Sequence, residues 1–167
     1  MDNLSNPEPI LEIVIGTLGV VLVIFVHGAG IRSISRRFNR SWIRVERNGF
    51  WRPNLLLGLT IGSLAGLHFL ETLIWAVPIS HGELIHSMRD SYYFVLESYT
   101  TLGAGNISLP DQWRLLGPSI AMSGLFTFGW TGSVLVSIMT EFGKLDRKRA
   151  RSLDSRATDG PPESGTN

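Results

Sequence analysis

Residues 99–106 read Y-T-T-L-G-A-G-N, in which two adjacent hydroxyls precede two alternate glycines, Gly103 and Gly105. Such a stretch does not stay helical. Both glycines take positive φ at little steric cost, so alternating peptide planes can turn successive carbonyl oxygens to one side. A row of carbonyls around an axis replaces the water of a small cation. The chemistry expected here is therefore coordination and desolvation, with no bond made or broken. A second pair, His68 and Glu71, stands three residues apart, on one face of a helix. An acid within an apolar run is costly and normally faces protein or water. Two readings are open for it: a proton- or ion-responsive pair coupled to helix motion, or a structural hydrogen bond to the neighbouring short helix. His81, Glu83 and His86 are also of metal-ligating type, but they are loosely spaced and lack a fourth ligand. They read as a polar outer turn; together with His68 and Glu71 they define the rival reading of a membrane metalloprotein.

Three apolar stretches must position these groups. Residues 13–31 hold His27 as their one potentially charged side chain, residues 55–77 hold only His68 and Glu71, and residues 115–139 hold none. Each is long enough to cross ~30 Å of hydrocarbon at 1.5 Å per helical residue. Apolar residues make up 44% of the 167-residue chain, and its mean hydropathy is positive, +0.16. The expected class is an all-α membrane protein with three transmembrane helices. A re-entrant helix and loop lie between the second and third. The first span is not a cleaved signal, since its flank carries Asp2 and Glu8 where a signal would be basic. Zero cysteines exclude disulfides and thiolate metal sites.

A net charge of +1 conceals a strong asymmetry: all of the 15 Lys and Arg residues except Arg89 and Arg114 lie either in 32–52 or in 144–156. Excess Lys and Arg marks the cytoplasmic side. The amino terminus is therefore expected outside and the carboxyl terminus in the cytoplasm of a plasma (inner) membrane protein. On that topology residues 78–113, with the glycine-containing loop, start and finish outside. Charge counting and the loop sequence reach this placement separately.

The loop resembles the signature of tetrameric potassium channels, commonly T-T-V-G-Y-G-D, and the resemblance extends over roughly residues 55–142. It implies an outer helix at 54–77, a pore helix at 90–101, a selectivity filter at 101–105 and an inner helix at 114–142. K⁺ would be held by the carbonyls of Thr101, Leu102, Gly103, Ala104 and Gly105. Tyr93, Phe94, Glu97, Thr100 and Asn106 would support the filter, with Glu97 reaching towards Asn106. Gly124 falls near the family's hinge glycine, with Gly129 and Gly132 as further weak points; hinge bending and close helix packing are both open readings. Ala104 stands where the family has tyrosine, and Asn106 where it has aspartate. Coordination is expected to survive, with a less stiff filter and a weaker outer-mouth field. The implied function is passive K⁺ conduction by a homotetramer. The alternatives are a weakly selective monovalent cation pore and a non-conducting modulatory subunit.

Other expectations complete the chain. Residues 1–9 read as a mobile extracellular leader. In the first span Gly16, Gly19, Gly28 and Gly30 offer close-contact points, His27 reads as a snorkelling or hydrogen-bonded residue, and the span is expected at the subunit periphery. Residues 32–53 place Ile34, Phe38, Trp42 and Val45 at helical spacing among arginines, which suits either an amphipathic helix on the inner leaflet, attracting anionic lipid headgroups, or an ordinary basic loop. Pro78 is expected to end the second span, Asp90 or Ser91 to cap the pore helix, and Phe126, Phe128 or Trp130 to narrow an inner cavity. Residues 143–167 read as a basic segment and disordered tail. No nucleophile, cofactor loop or nucleotide motif is present, so neither enzyme activity nor a cofactor nor a nucleic-acid partner is expected.

Overall fold

In a computed structural model, which describes residues 9–45, 51–103 and 105–158, the apolar stretches become three long helices: α1 (Pro9–Val45), α2 (Trp51–His81) and α4 (Leu116–Thr158), with the short α3 (Met88–Tyr99) between α2 and α4. All three long helices are long and apolar enough to cross a membrane. The leader and Ala104 lie outside the described residues, apart from Pro9, which opens α1.

α1 and α4 run side by side in the same direction. Glu12 meets Leu116 and His27 meets Thr131, each pair 104 residues apart, and Phe38 meets Phe142 at the same offset. α2 runs antiparallel to α1, as His27 facing Glu71 and Gly30 facing Leu67 require. Within the chain the first span packs against both α2 and α4. Its glycines explain how. A Cβ at Gly19 would enter the Trp75 ring, one at Gly30 would strike Leu67, one at Gly16 would strike the Ser119 hydroxyl, and one at Gly28 would press on Trp130. Among lipid tails, burial of apolar surface drives helices together only weakly, so close packing through small residues carries the association.

The basic stretch after the first span is not a separate interfacial helix. α1 continues to Val45, and Phe38 and Trp42 stack on each other and meet Phe142 of α4 as tilted rings. The apolar stripe read as lipid-facing is thus spent on helix contact; the side chain of Val45 lies outside the described residues. Pro78 lies inside α2, which runs on to His81 before Glu83 turns left-handed at φ 55°. α4 extends to Thr158, so residues 152–158 are helical where disorder was expected.

Glu12 was not singled out by sequence. It is 5% exposed, and its carboxylate accepts hydrogen bonds from the amides of Leu115 and Leu116. One helix thereby caps the next: the first amides of α4 have no intrahelical partner, and a carboxylate there also meets the positive end of the helix dipole. Glu12→Ala is expected to lower stability by about 1–2 kcal/mol, read as a lower melting midpoint in detergent, with Glu12→Gln retaining part of the loss.

Candidate functional site

Two sites lie at neighbouring levels of the bundle. The first follows α3, whose amino end is capped by the Ser87 hydroxyl accepting from the Asp90 amide at 3.4 Å, not by Asp90 or Ser91. At the other end the chain stops being helical by a fixed sequence of bonds: the amides of Thr100, Thr101 and Leu102 donate to Leu96, Ser98 and Glu97 carbonyls at 2.9, 3.0 and 2.9 Å. Thr101 then takes φ 59° and Gly103 φ 60°. Positive φ is thus found at Gly103, where the sequence suggested it, and also at Thr101, where it did not. For a β-branched residue this backbone is strained by roughly 1–3 kcal/mol, and such strain persists where the surroundings over-determine it, typically at functional positions.

Thr100, Thr101, Leu102, Gly103, Gly105 and Asn106 are all exposed, Leu102 to 68%. The chain alone leaves this strained segment uncovered. Behind it Glu97 is 6% exposed, and its carboxylate lies so close to Gly105 that a Cβ there would overlap it. Asn106, the contact implied by resemblance, is exposed. Phe94 packs into the core beside α4, while Tyr93 is half-exposed. Gly124 supports the loop from below: a Cβ on it would strike the carbonyl oxygen of Tyr99. That geometry supplies a packing reason for this glycine, whereas Gly129 and Gly132 face open space.

The second site is a buried polar cluster one level deeper, and it joins all four helices. Glu71 is 0% exposed. Its carboxylate accepts from His27 Nδ1 at 2.7 Å and from the Tyr99 hydroxyl at 2.7 Å. His68 Nδ1 lies 3.0 Å from that hydroxyl and 3.5 Å from the carboxylate. Thr131 of α4 bridges the two imidazoles, 3.0 Å from His68 Nε2 and 3.3 Å from His27 Nε2. Thr127 shares a 2.5 Å hydrogen bond with Tyr99. Phe128 covers His68 and Tyr99, and Trp130 covers His27. Of the three large aromatics read as cavity-narrowing, Phe126 is the one left outside these ring contacts and 57% exposed.

Sequence reading paired His68 with Glu71 but did not bring His27, Tyr99, Thr127 and Thr131 to them. Of the two readings of His27, snorkelling or hydrogen-bonded, the second holds: it is fully buried and bonded to Glu71. A usable signal existed: each of two apolar spans carries a titratable residue well inside its length, and such groups in hydrocarbon seek one another. Ser123, Thr127 and Thr131 repeat every fourth residue on α4 and are all buried, a hydroxyl stripe that also receives the Trp75 indole N–H at Ser123, 3.2 Å. Among the described residues, His27, His68 and Glu71 are the side chains of a type able to bind a metal that converge, and they are engaged with one another and with Tyr99 by hydrogen bonds. His81, Glu83 and His86 are exposed, at the end of α2 and in the turn that follows it.

A family model described as an ion channel matches residues 57–141, the stretch from the first third of α2 into α4. No curated protein and no solved structure matches the chain.

Proposed function

Because the chain belongs to the ion-channel family and is an integral membrane protein of three spanning helices, we propose that it conducts K⁺ passively as one of four like subunits around a cyclic axis. The observation that carries this reading is the strained, exposed backbone of Thr101–Gly103 directly after a short capped helix. One such loop cannot enclose an ion; four facing loops can surround it with carbonyls, which is how K⁺ filters work. Closed cyclic symmetry is also the common solution for identical subunits. Exposed Met122, Leu125, Phe126 and Val136 on α4 offer apolar surface to neighbours or lipid. The arginine-rich ends of α1 and α4 lie in the cytoplasm on the positive-inside rule, which sets the filter at the outer side. Thr101, Leu102, Gly103, Ala104 and Gly105 hold the ion, Glu97 braces the loop, and Gly129 supplies bending.

A second reading is the same pore with little preference between K⁺ and Na⁺. It is favoured by Ala104, which keeps the carbonyl but removes a ring that would stiffen the loop. Purified protein in liposomes, measured under a K⁺/Na⁺ gradient, separates the two. A reversal potential near the K⁺ limit is expected for the selective pore, and one near zero for the permissive pore. Ala104→Tyr is expected to move the reversal potential towards the K⁺ limit. No cation flux from a four-chain particle would overturn both readings in favour of a modulatory subunit.

A further inference from the structure

The buried cluster can be followed as a closed circuit: His27 to Glu71, Glu71 to Tyr99, Tyr99 to His68, His68 to Thr131, and Thr131 back to His27. Each of these five contacts needs one hydrogen between its two heavy atoms. With Glu71 ionised and both imidazoles neutral, only four are present, one each from His27, His68, Tyr99 and Thr131. Changing the tautomers does not help. If His68 donates from Nε2 to Thr131, Tyr99 must donate to His68 Nδ1, and two oxygen lone pairs then face each other across the 2.7 Å between Tyr99 and Glu71. If His68 donates from Nδ1 to Tyr99, both Nε2 atoms compete for the single Thr131 proton. Either way the circuit is one proton short, and the uncompensated charge is a carboxylate buried in a membrane-spanning helix.

We propose that His27, His68, Glu71, Tyr99 and Thr131 form a binding site for a single proton, and that this proton fastens α1 to the end of the filter helix and to α4. Adding one proton completes every contact and cancels the Glu71 charge, whether it sits on an imidazole or on the carboxyl group. A second would leave Thr131 facing two N–H donors and a net positive charge between two imidazoles whose centroids are 5.3 Å apart. The site therefore takes one proton and rejects the next. The titratable groups facing it are His27 from α1, His68 and Glu71 from α2, and Tyr99 from α3; α4 contributes the hydroxyls of Thr127 and Thr131 and the rings of Phe128 and Trp130. Glu97, the nearby acid of α3, lies against Gly105. A divalent metal on His27, His68 and Glu71 is the competing occupant, but it would have to break the 2.7 Å His27–Glu71 hydrogen bond. Loss of the proton opens the circuit, first at the longest link, Thr131 to His27 at 3.3 Å, and so loosens a network that also holds Tyr99, two residues before the filter segment.

Glu71→Gln tests the count. A carboxamide brings its own N–H, so the circuit closes with both imidazoles neutral and no added proton. The unfolded chain sheds imidazole protons through about pH 6.5, so the wild-type contribution is complete below that pH and lost above it. One bound proton corresponds to about a tenfold change in the folding equilibrium per pH unit over that window. The expected result is a melting midpoint in detergent that falls as pH rises from 6.5 for the wild type, with Glu71→Gln lacking that fall. Parallel pH profiles for the two proteins would overturn the proposal. Should Glu71→Gln not fold, the wild-type protein decides alone: ¹⁵N imidazole and infrared carboxyl spectra at pH 7.5 are expected to show one imidazolium or one protonated carboxyl group in the cluster. Two neutral imidazoles with an ionised Glu71, or stoichiometric bound zinc, would overturn it. Neither measurement requires ion flux, so their failure is distinct from failure of the conduction reading.

Discussion

Replacing Glu71 by alanine is expected to destabilise the folded chain by about 3–5 kcal/mol, the cost of removing one partner from a buried charged pair. The carboxylate is the acceptor for both His27 and Tyr99; its loss takes the Nδ1 partner from a fully buried imidazole and one of three partners from the Tyr99 hydroxyl, which keeps His68 and Thr127. The asymmetry between losing one partner and losing both supplies the control. His27→Ala combined with Glu71→Ala is expected to be less damaging than the sum of the single changes, because the double variant no longer buries an orphaned imidazole against the missing acceptor. Chemical or thermal melting of the four proteins in detergent measures the coupling, and additive losses would refute a direct His27–Glu71 contribution. The His27–Glu71 contact joins α1 to α2, so the coupled part of the damage is expected to appear as detachment of α1 before the rest of the bundle melts.

Gly124→Ala is expected to carry the second large effect. The added methyl would overlap the Tyr99 carbonyl, a backbone atom that cannot swing aside as a side-chain tip would. Either α4 or the carboxyl end of α3 must shift, at a cost of about 1–3 kcal/mol for overpacking. Since Tyr99 precedes the strained Thr101 by two residues, the shift is expected to reach it and, on the proposed conduction reading, to reduce cation flux in liposomes as well as thermal stability. A hinge role for Gly124 makes a different prediction: altered opening with unchanged melting. Gly129→Ala is the internal control, for its Cβ meets open space, so it is expected to leave the melting midpoint within the ±0.5 kcal/mol of an ordinary surface change while still reporting on helix bending through flux.

Both expectations arise from contacts between segments distant in sequence, and this explains which features could be read beforehand. Hydropathy along the chain was enough to find three spanning helices, because the requirement to satisfy backbone groups in hydrocarbon acts on each segment by itself. The short helix and the glycine-containing loop were legible for a similar reason: they follow from local backbone preferences and from the length available between two spans. Boundaries were less legible. Residues 32–45 looked like a separate amphipathic element because their charge is interfacial, yet they continue α1, since Phe38 and Trp42 find Phe142 on a helix that itself runs past the apolar region.

What the amino-acid order determined by itself was the number of spans, the asymmetry of basic residues and the place where helix gives way to a special backbone. Only the tertiary structure decided that α1 belongs between α2 and α4, that Glu12 caps α4, that Thr101 joins Gly103 in the left-handed backbone, and that His27 completes a cluster with Glu71, 44 residues away. The reason is geometric. A residue's polarity is written in the chain, but its partner depends on the depth and rotation of two helices about their axes, and those are settled by glycine contacts such as Gly19 on Trp75 and Gly30 on Leu67.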